Sequence, residues 1–488
     1  MSVAVAAPHP DAVEAARTAV TAGGNAFDAA LAAAGALAVV YPHQCSVGGD
    51  LVAMVRRAGS PVRAVVSVGA AALAARPGPV PLRGPHSVTV PGVVAGWAAV
   101  HELGARLPLA ELLAPAVRLA ADGVEKSPGL RAAIANGLDV IRADPGLAAV
   151  MLPPTLVQPA LARTLTGIAR DWRSFYAGPL IPGLRALGSP LAGADFAAHT
   201  AEVVEPLRRT VGGVTWHAAP PPVQGATFLA VVGSTSLLAD CRRAQAARNA
   251  LLGDPCGGPI DLDGLLHPSG AGAGAEPPKP TGDTVAVTAV DDEGNAVTLI
   301  QSVFESFGSG LLEPSTGVVL HNRGSSFSPD PSHPARTAPG LRPPHTLCPT
   351  IALTPDAPDA PDAPDAPDAP DAPDAVAAPD AVAAPDAVVA LGCQGGRAQP
   401  WILAQLAPDV LTADPSALIT RPRWILRGTE LIVEPGVPAP AGADGLTVTT
   451  TSGPHDGAGH GQLSRFSGGR LEAGSDPRAD GLAAVLSP

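Results

Sequence analysis

The spacing of apolar residues predicts helices in the first half of the chain. The segment PDAVEAARTAVTAGG carries apolar residues at helical spacing and ends at Gly23–Gly24, a typical C-terminal signal. A second helix is predicted from Asn25, its N-cap, to the residue before Pro42. The segment PLAELLAPAVRLAADGV places its leucines on or near one helical face. The middle of the chain, 125–235, is predicted to be mainly helical with proline-rich joints.

A different pattern begins at Thr284. The segment TVAVTAV alternates as a strand, DDEGN is a turn and AVTLIQSVF is the returning strand, so a hairpin is predicted. The later segments LCPTIAL and AVVALGC are also strand-like and could form a second hairpin. Helices and strands alternate along the chain, and the C-terminal part is rich in strands. This order favours a layered α/β (α+β) protein built on antiparallel hairpins.

Two stretches of low complexity interrupt these patterns. Residues 253–280 are full of glycine and proline, and they predict an exposed, flexible segment that leads to residue 283. Residues 355–386 repeat Ala-Pro-Asp and carry nine aspartates with no basic residue. Proline at every third position excludes helices and sheet ladders, and like charges keep the chain extended. We therefore expect a disordered loop at 355–386, inserted between the strands of the second hairpin.

Composition narrows the possible partners and cofactors. The formal net charge is −13 and no basic stripe is present, so nucleic acid is an unexpected partner. Five scattered cysteines without a CxxC pair indicate neither a disulfide framework nor a zinc site. The histidines show no HExxH arrangement, and we expect no metal or other cofactor. The N-terminus lacks the features of a signal peptide and the Ala-rich run is too short to span a bilayer, which predicts a cytoplasmic protein without membrane contact.

Two positions could carry catalytic chemistry. A threonine hydroxyl is a poor nucleophile in mid-chain, but cleavage of the preceding peptide bond would give Thr284 an α-amine, with a pKa of about 8, that can act as its base. The alternative is an ordinary threonine at the start of a strand. Gly395–Gly396 follow a strand and precede a predicted helix, so their backbone N–H groups could stabilise an oxyanion. A plain strand–turn–helix junction is the alternative there, and a phosphate loop is disfavoured because no Gly-Lys-Ser/Thr follows.

Several segments together carry a resemblance to a known family. They are GGNAFDAALAAAGALAVVYPHQCSVGGDL, SVTVPGVVAGWAAVHELGARLPLAELLAPAVRLAADG, GDTVAVTAVDDEGNAVTLIQSVFESFGSG, APGLRPPHTLCPTIAL, LGCQGG and SDPRADG. The chain resembles the γ-glutamyltransferases, which are N-terminal-nucleophile hydrolases, and looks most like their bacterial γ-glutamyltransferase-like branch. The resemblance implies a four-layer αββα sandwich made as one precursor. It also implies self-cleavage into a would-be large subunit, 1–283, helix-rich with a flexible end at 253–283, and a β-rich would-be small subunit, 284–488, which then form a heterodimer.

The resemblance also assigns catalytic roles. The cleaved bond would join Asp283 to Thr284, and Thr284 would be the nucleophile that forms an acyl-enzyme. Gly395 and Gly396 match the glycine pair that stabilises the oxyanion in the family. Ser302 matches a hydroxyl residue that supports the nucleophile, where threonine is common.

The expected substrate contacts depart from the family pattern. Phe304, Arg323 and Ser326 stand where the family often has Asn, Gln or Glu, and Asp, and His345–Thr346 stand in place of a serine pair. An arginine that clamps the glutamate carboxylate falls near VVSVGAA, where Val68 offers no charge. Loss of such an ion-paired contact costs about 2–5 kcal/mol in binding. Either Arg323 takes over a carboxylate from another direction, or it is a solvated or structural arginine.

Three functions follow from these features. The first is a self-processing hydrolase or transferase that acts on small γ-glutamyl amides such as glutathione. The second keeps the mechanism but acts on a glutaryl-type amide, which Phe304 and Val68 favour by making the pocket less polar. The third is an unprocessed, inactive family member with a binding role, which the short segment before Thr284 favours.

Overall fold

The structure, a computed structural model, describes residues 1–270, 283–354, 385–438 and 440–488. Within these ranges the strands are β1 (Val3–Ala7), β2 (Asp50–Arg56), β3 (Arg63–Ser67), β4 (Val124–Glu125), β5 (Thr155–Leu156), β6 (Glu202–Val204), β7 (Leu207–Val211), β8 (Val214–Ala218), β9 (Asp283–Asp291), β10 (Ala296–Phe304), β11 (Leu312–Glu313), β12 (Val318–Val319), β13 (Thr350–Leu353), β14 (Ala387–Cys393), β15 (Trp424–Arg427), β16 (Glu430–Val433), β17 (Thr447–Thr450), β18 (Gly461–Ser467), β19 (Arg470–Ser475) and β20 (Leu482–Leu486).

The helices of the described ranges are α1 (Pro10–Thr21), α2 (Ala26–Val40), α3 (Val93–Gly104), α4 (Leu109–Asp122), α5 (Pro128–Asn136), α6 (Leu138–Ala143), α7 (Pro145–Met151), α8 (Pro159–Arg170), α9 (Ser174–Ala177), α10 (Leu180–Ala186), α11 (Gly193–Ala197), α12 (Gly225–Val231), α13 (Leu237–Leu251), α14 (Leu262–Leu266), α15 (Gln399–Leu406) and α16 (Pro415–Thr420). None of them is long and apolar enough to cross a lipid bilayer.

Two antiparallel sheets form the centre of the molecule. The first has the order β20-β1-β9-β10-β2-β3-β6, and the second has the order β19-β18-β14-β13-β8-β7. The sheets pack face to face, with β14 against β9 and β10. Gly392 of β14 permits this close approach, because a Cβ atom there would lie 2.9 Å from Cγ2 of Thr298.

Helices cover the outer face of each sheet. Helices α2 and α3 lie on the first sheet, while α12 and α15 lie on the second. Helix α2 is buried along its whole length, and it begins with the predicted cap: Asn25 and Asp28 form a capping box. The layers are therefore helix, sheet, sheet and helix, which confirms the four-layer αββα sandwich.

Both predicted hairpins form. Strands β9 and β10 pair in register from Ala296 opposite Val290 to Gln301 opposite Val285, and the ladder is irregular between Gln301 and Phe304. Strands β13 and β14 also pair, with Thr350 opposite Leu391. The Ala-Pro-Asp repeat connects them, and its residues 355–384 lie outside the described part of the chain.

The segment at 253–283 differs from the prediction in its first part. Residues 253–270 were expected to be exposed and flexible, but they include helix α14, and Leu265 of that helix is buried. Asp254 is also buried and accepts a hydrogen bond from Arg342 at 2.8 Å. Glycine and proline content reflects only local preferences, so it revealed neither the burial of Leu265 nor the distant contact between Asp254 and Arg342. Residues 271–282 lie outside the described part of the chain.

Candidate active site

The predicted nucleophile and its supporting hydroxyl meet at the start of β9. Thr284 is the second residue of this strand and is buried. Its Oγ1 donates a hydrogen bond to Oγ of Ser302 at 3.0 Å. The Ser302 hydroxyl in turn donates to the carbonyl oxygen of Asp283 at 2.7 Å. The structure thus joins Thr284, Ser302 and the peptide group before Thr284 in one hydrogen-bonded series.

The irregular end of the hairpin holds Ser302 in place. Phe304, two residues later, has a left-handed backbone with φ of 79°, and its N–H donates to Ser302 Oγ at 2.8 Å. The Ser302 oxygen therefore accepts two hydrogen bonds and donates one, which is the full capacity of a hydroxyl group. Its orientation toward the Asp283 carbonyl is fixed by these three contacts.

The side chain of Asp283 is buried next to the same peptide bond. Burial raises its pKa to about 7, although a hydrogen bond from Ser306 acts in the opposite direction. Its buried position therefore favours the neutral form of the Asp283 carboxyl group.

Arg323 forms a buried cationic site beside Phe304. The guanidinium carbon lies 3.8 Å from the centroid of the Phe304 ring, and Nη2 donates to Oγ1 of Thr346 at 3.2 Å. Within the described ranges, Nε and Nη1 of Arg323 have no hydrogen-bond partner. Burial lowers the pKa of Arg323 to about 9, so the group stays charged at neutral pH. A buried cation with open donors is chemically suited to bind a carboxylate.

Two residues without an assigned role join His345 in a buried cluster. Asp50 begins β2 opposite Ser302 of β10, and its Oδ2 lies 3.2 Å from both Nδ1 of His321 and Nε2 of His345. Burial alone raises the pKa of Asp50, but the two imidazoles outweigh it and hold that pKa below its usual range. Burial, followed by the charge of Arg323, lowers the pKa of His345 to about 4. The segment VGGDL was the sequence signal that could have pointed to Asp50.

The glycine pair follows β14 as predicted. Gly395 and Gly396 have φ of 147° and 55°, values that favour glycine, and they connect β14 to α15. A Cβ on Gly392 would lie 3.3 Å from Cβ of Ala286, so the strand before the pair packs on β9, the strand that carries Thr284. The carbonyl of Gly396 accepts a hydrogen bond from Nε2 of Gln224 at 3.0 Å.

Comparison with known proteins identifies the family. The model of the family described as gamma-glutamyltranspeptidase matches residues 12–361. The chain belongs to the γ-glutamyltranspeptidase family. It is similar to the oxamate amidohydrolase proenzyme of Klebsiella pneumoniae, with 34% identity over 98% of this chain and 97% of the relative. It is also similar to the glutathione hydrolase-like YwrD proenzyme of Bacillus subtilis, with 30% identity over 86% of this chain and 84% of the relative.

A solved structure supports the same assignment. The cephalosporin acylase from Bacillus halodurans has a TM-score of 0.82 and 27% sequence identity, covering 99% of this chain and 95% of that one. This γ-glutamyltranspeptidase family member is therefore an enzyme of the N-terminal-nucleophile hydrolase type.

Two further predicted positions, Val68 and Ser326, make no contact with a charged group in the described part of the chain. Val68, at the position expected for the carboxylate clamp, is buried in an apolar cluster with Val66 and Leu347. The hydroxyl oxygen of Ser326 lies 2.7 Å from the carbonyl of Arg323 and 3.1 Å from that of Pro344, so it contacts backbone.

A cavity of about 520 Å³ adjoins the candidate site. Ser326, His345 and Thr346 line it, whereas the buried Thr284 does not. In the uncut chain Thr284 is thus buried and separate from this cavity.

Proposed function

We propose that this protein is a self-processing amide hydrolase and that Thr284 becomes its nucleophile when the bond from Asp283 is cut. The observation that carries the proposal is the series from Thr284 Oγ1 through Ser302 Oγ to the Asp283 carbonyl oxygen. One hydroxyl group contacts both the attacking oxygen and the carbonyl of the bond to be broken. The proenzyme names of the relatives agree with such processing.

The cleavage step follows from these contacts. Thr284 Oγ1 attacks the carbonyl carbon of Asp283, so a C–O bond forms while the C–N bond breaks. The proton of the Thr284 hydroxyl ends on the departing α-amine of the same residue, and Ser302 Oγ orients the attacking hydroxyl by accepting its hydrogen bond. Ser302 also stabilises the negative charge that develops on the Asp283 carbonyl oxygen. Water then hydrolyses the ester and leaves a carboxylate on Asp283 and a free amine on Thr284.

Turnover uses the group that cleavage releases. The α-amine of Thr284, with a pKa of about 8, accepts the proton of its own hydroxyl as Oγ1 attacks the substrate amide. The backbone N–H groups of Gly395 and Gly396 would stabilise the oxyanion. The substrate nitrogen leaves with the proton, and water hydrolyses the acyl-enzyme. Attack by an amine in place of water would make the reaction a transfer.

The substrate class that the site supports best is a compact amide with a carboxylate group. Arg323 offers two buried donors without partners in the described ranges, and it stacks on Phe304. Phe304 pairs with Asp283 across the hairpin, so the cation lies close to the nucleophile's strand. This arrangement favours a substrate in which a short spacer separates the carboxylate from the amide carbonyl. The K. pneumoniae relative is named for oxamate, an amide of this class.

Two other substrate classes have specific support. The family match and the B. subtilis relative favour γ-glutamyl amides such as glutathione. The structural neighbour titled cephalosporin acylase and the apolar Val68 favour a glutaryl-type amide. All three classes use the same nucleophile, so only a comparison of substrates separates them.

The test compares these substrates on the purified protein. Ammonia release from oxamate is measured beside hydrolysis of a γ-glutamyl anilide and of a glutaryl amide. We expect oxamate to be hydrolysed and Arg323→Gln to lower kcat/KM for oxamate by about 100-fold or more, because a buried carboxylate loses its charged partner. Arg106→Gln is the matched control, since Arg106 pairs with Glu293 at an exposed site.

The other outcomes are equally decisive. If the protein hydrolyses the γ-glutamyl anilide but not oxamate, its substrates belong to the γ-glutamyl class. If it prefers the glutaryl amide, it is an acylase. A chain that stays uncut and hydrolyses none of the three would overturn the proposed function and leave a binding role.

A further inference from the structure

Gln224 is a buried polar residue that the mechanism above does not use. It immediately precedes helix α12, and its side chain is fully buried. A buried amide group has to satisfy its donors and acceptor within the protein, so its contacts define where the neighbouring segments sit.

The Gln224 side chain joins two parts of the candidate site. Its Nε2 donates hydrogen bonds to the carbonyl oxygens of Thr346 and Gly396, the latter at 3.0 Å. Its Oε1 accepts from Nη1 of Arg248 at 3.1 Å, which fixes the direction of the amide. The backbone N–H of Gln224 donates to the carbonyl of His345 at 3.2 Å.

These contacts complete a path across the site. Arg323 donates to the hydroxyl of Thr346, whose carbonyl accepts from Gln224, which also holds the carbonyl of Gly396. One end of this path is the cation proposed to bind the substrate carboxylate. The other end is the glycine pair proposed to bind the oxyanion.

We propose that Gln224 is a positioning residue that couples carboxylate recognition at Arg323 to oxyanion stabilisation at Gly395–Gly396. This inference rests on the proposed function. When a carboxylate engages Arg323, the path through Thr346 and Gln224 holds the glycine loop in its catalytic position. The substrate carboxylate then contributes to kcat and not only to KM, as binding energy used in the transition state does.

The test compares oxamate with oxamide, its uncharged counterpart, by initial rates. In the processed wild type we expect oxamide to have a kcat at least about tenfold lower than that of oxamate. In Gln224→Ala, kcat for oxamate falls by about tenfold or more while KM changes by less than about threefold. The ratio of the two kcat values then approaches one, because the carboxylate no longer influences the glycine loop.

Two further variants distinguish the proposed coupling from a general structural effect of losing a buried glutamine. Gln224→Glu keeps the size of the side chain but removes the Nε2 donor. It should therefore also lower the ratio of kcat for oxamate to kcat for oxamide. Gln245→Ala is the matched control: Gln245 is equally a buried glutamine, and it donates to Gly428, outside the candidate site. This control should keep the wild-type ratio.

Self-cleavage separates a failure of this inference from a failure of the proposed function. The cleavage contacts involve Ser302 and Asp283 and not Gln224, so both Gln224 variants should still be cut before Thr284. A wild type that is uncut or inactive on oxamate would overturn the proposed function and with it the inference. A cut, active wild type whose kcat ratio is unchanged in both Gln224 variants would overturn the coupling alone.

Discussion

At the scale of single residues, Ser302 is the centre of the proposed chemistry. Its hydroxyl oxygen accepts hydrogen bonds from the Thr284 hydroxyl and the Phe304 N–H, and its proton is donated to the Asp283 carbonyl oxygen. These three contacts fill the hydrogen-bonding capacity of the hydroxyl group. Because it is the hydroxyl that polarises this carbonyl, its removal should affect self-cleavage directly.

Replacement of Ser302 by alanine should slow self-cleavage by about 10²–10³-fold, the usual effect of removing one oxyanion donor. Ser302→Thr keeps the hydroxyl and should be cut at a rate close to that of the wild type. Both rates can be followed on denaturing gels of freshly synthesised protein. Cleavage of Ser302→Ala at the wild-type rate would exclude the proposed role of this hydroxyl.

Asp283 makes the stability of the uncut chain depend on pH. Its pKa rises from 3.8 to about 7 on folding, so between these values the folded chain holds a proton that the unfolded chain has lost. The contribution of Asp283 to stability is therefore greatest below about pH 4, falls as pH rises toward 7, and levels off above that.

The pH dependence can be measured in a Thr284→Ala background, which keeps the chain uncut. Addition of Asp283→Asn should flatten the decline of the unfolding midpoint between pH 4 and 7, since asparagine does not titrate. Thermal melts at several pH values give the comparison. An equally steep decline with and without Asp283→Asn would show that this carboxyl is not the titrating group.

The sequence revealed those site residues whose contacts are local or follow a recognised motif. Thr284 and Ser302 lie on two strands of one hairpin, so alternation and the turn DDEGN already place them together. Asp50 contacts His321 and His345, which lie more than 270 residues away in the sequence. Gln224 likewise forms a hydrogen bond with Gly396, 172 residues away in the sequence. Such contacts depend on how the sheets and loops pack, and no local pattern encodes them.

At the scale of elements, the close packing of the two sheets depends on one glycine of β14. A Cβ atom at Gly392 would lie 2.9 Å from Cγ2 of Thr298 and 3.3 Å from the Ala286 side chain. Both neighbours belong to the β9–β10 hairpin that carries Thr284, so a change at Gly392 acts on the distance between the sheets.

Gly392→Ala should lower the free energy of unfolding by about 1–3 kcal/mol, the usual cost of overpacking a core. Gly193→Ala is the matched control, because a Cβ there would meet no atom within 4 Å. Denaturant unfolding of the two variants provides the measurement. Equal stability of both variants would show that the sheet interface accommodates a methyl group.

Elements were predictable where local signals agree with packing. Helix α2 has its N-cap Asn25 and a continuous apolar run, and both its start and its end before Pro42 were correctly predicted. Helix α14 was missed because Gly- and Pro-rich neighbours conceal it, although Leu265 is buried against α12 and α13. Its existence depends on those helices and not on its own five residues.

At the scale of the whole molecule, both sheets are built from the two halves that cleavage would create. In the first sheet, β1 from 1–283 lies between β20 and β9, which belong to 284–488 apart from Asp283, the first residue of β9. In the second, β13 from the C-terminal half pairs with β8 from the N-terminal half. Separation of the halves would expose the edges of β1, β9 and several other strands.

The two pieces should therefore stay together after cleavage. On size exclusion under native conditions we expect one species that contains both fragments, and we expect them to separate only in denaturant. Elution of the fragments at two positions without denaturant would contradict the interleaved sheets.

The central claim is that the bond between Asp283 and Thr284 breaks and that the released amine activates the Thr284 hydroxyl. The most direct test is intact mass and N-terminal sequencing of the purified, active protein, with Thr284→Ala as the uncut control. The expected result is two fragments, one beginning at Thr284, and a single inactive chain in the control. A single intact chain of 488 residues that still hydrolyses amides would contradict the claim.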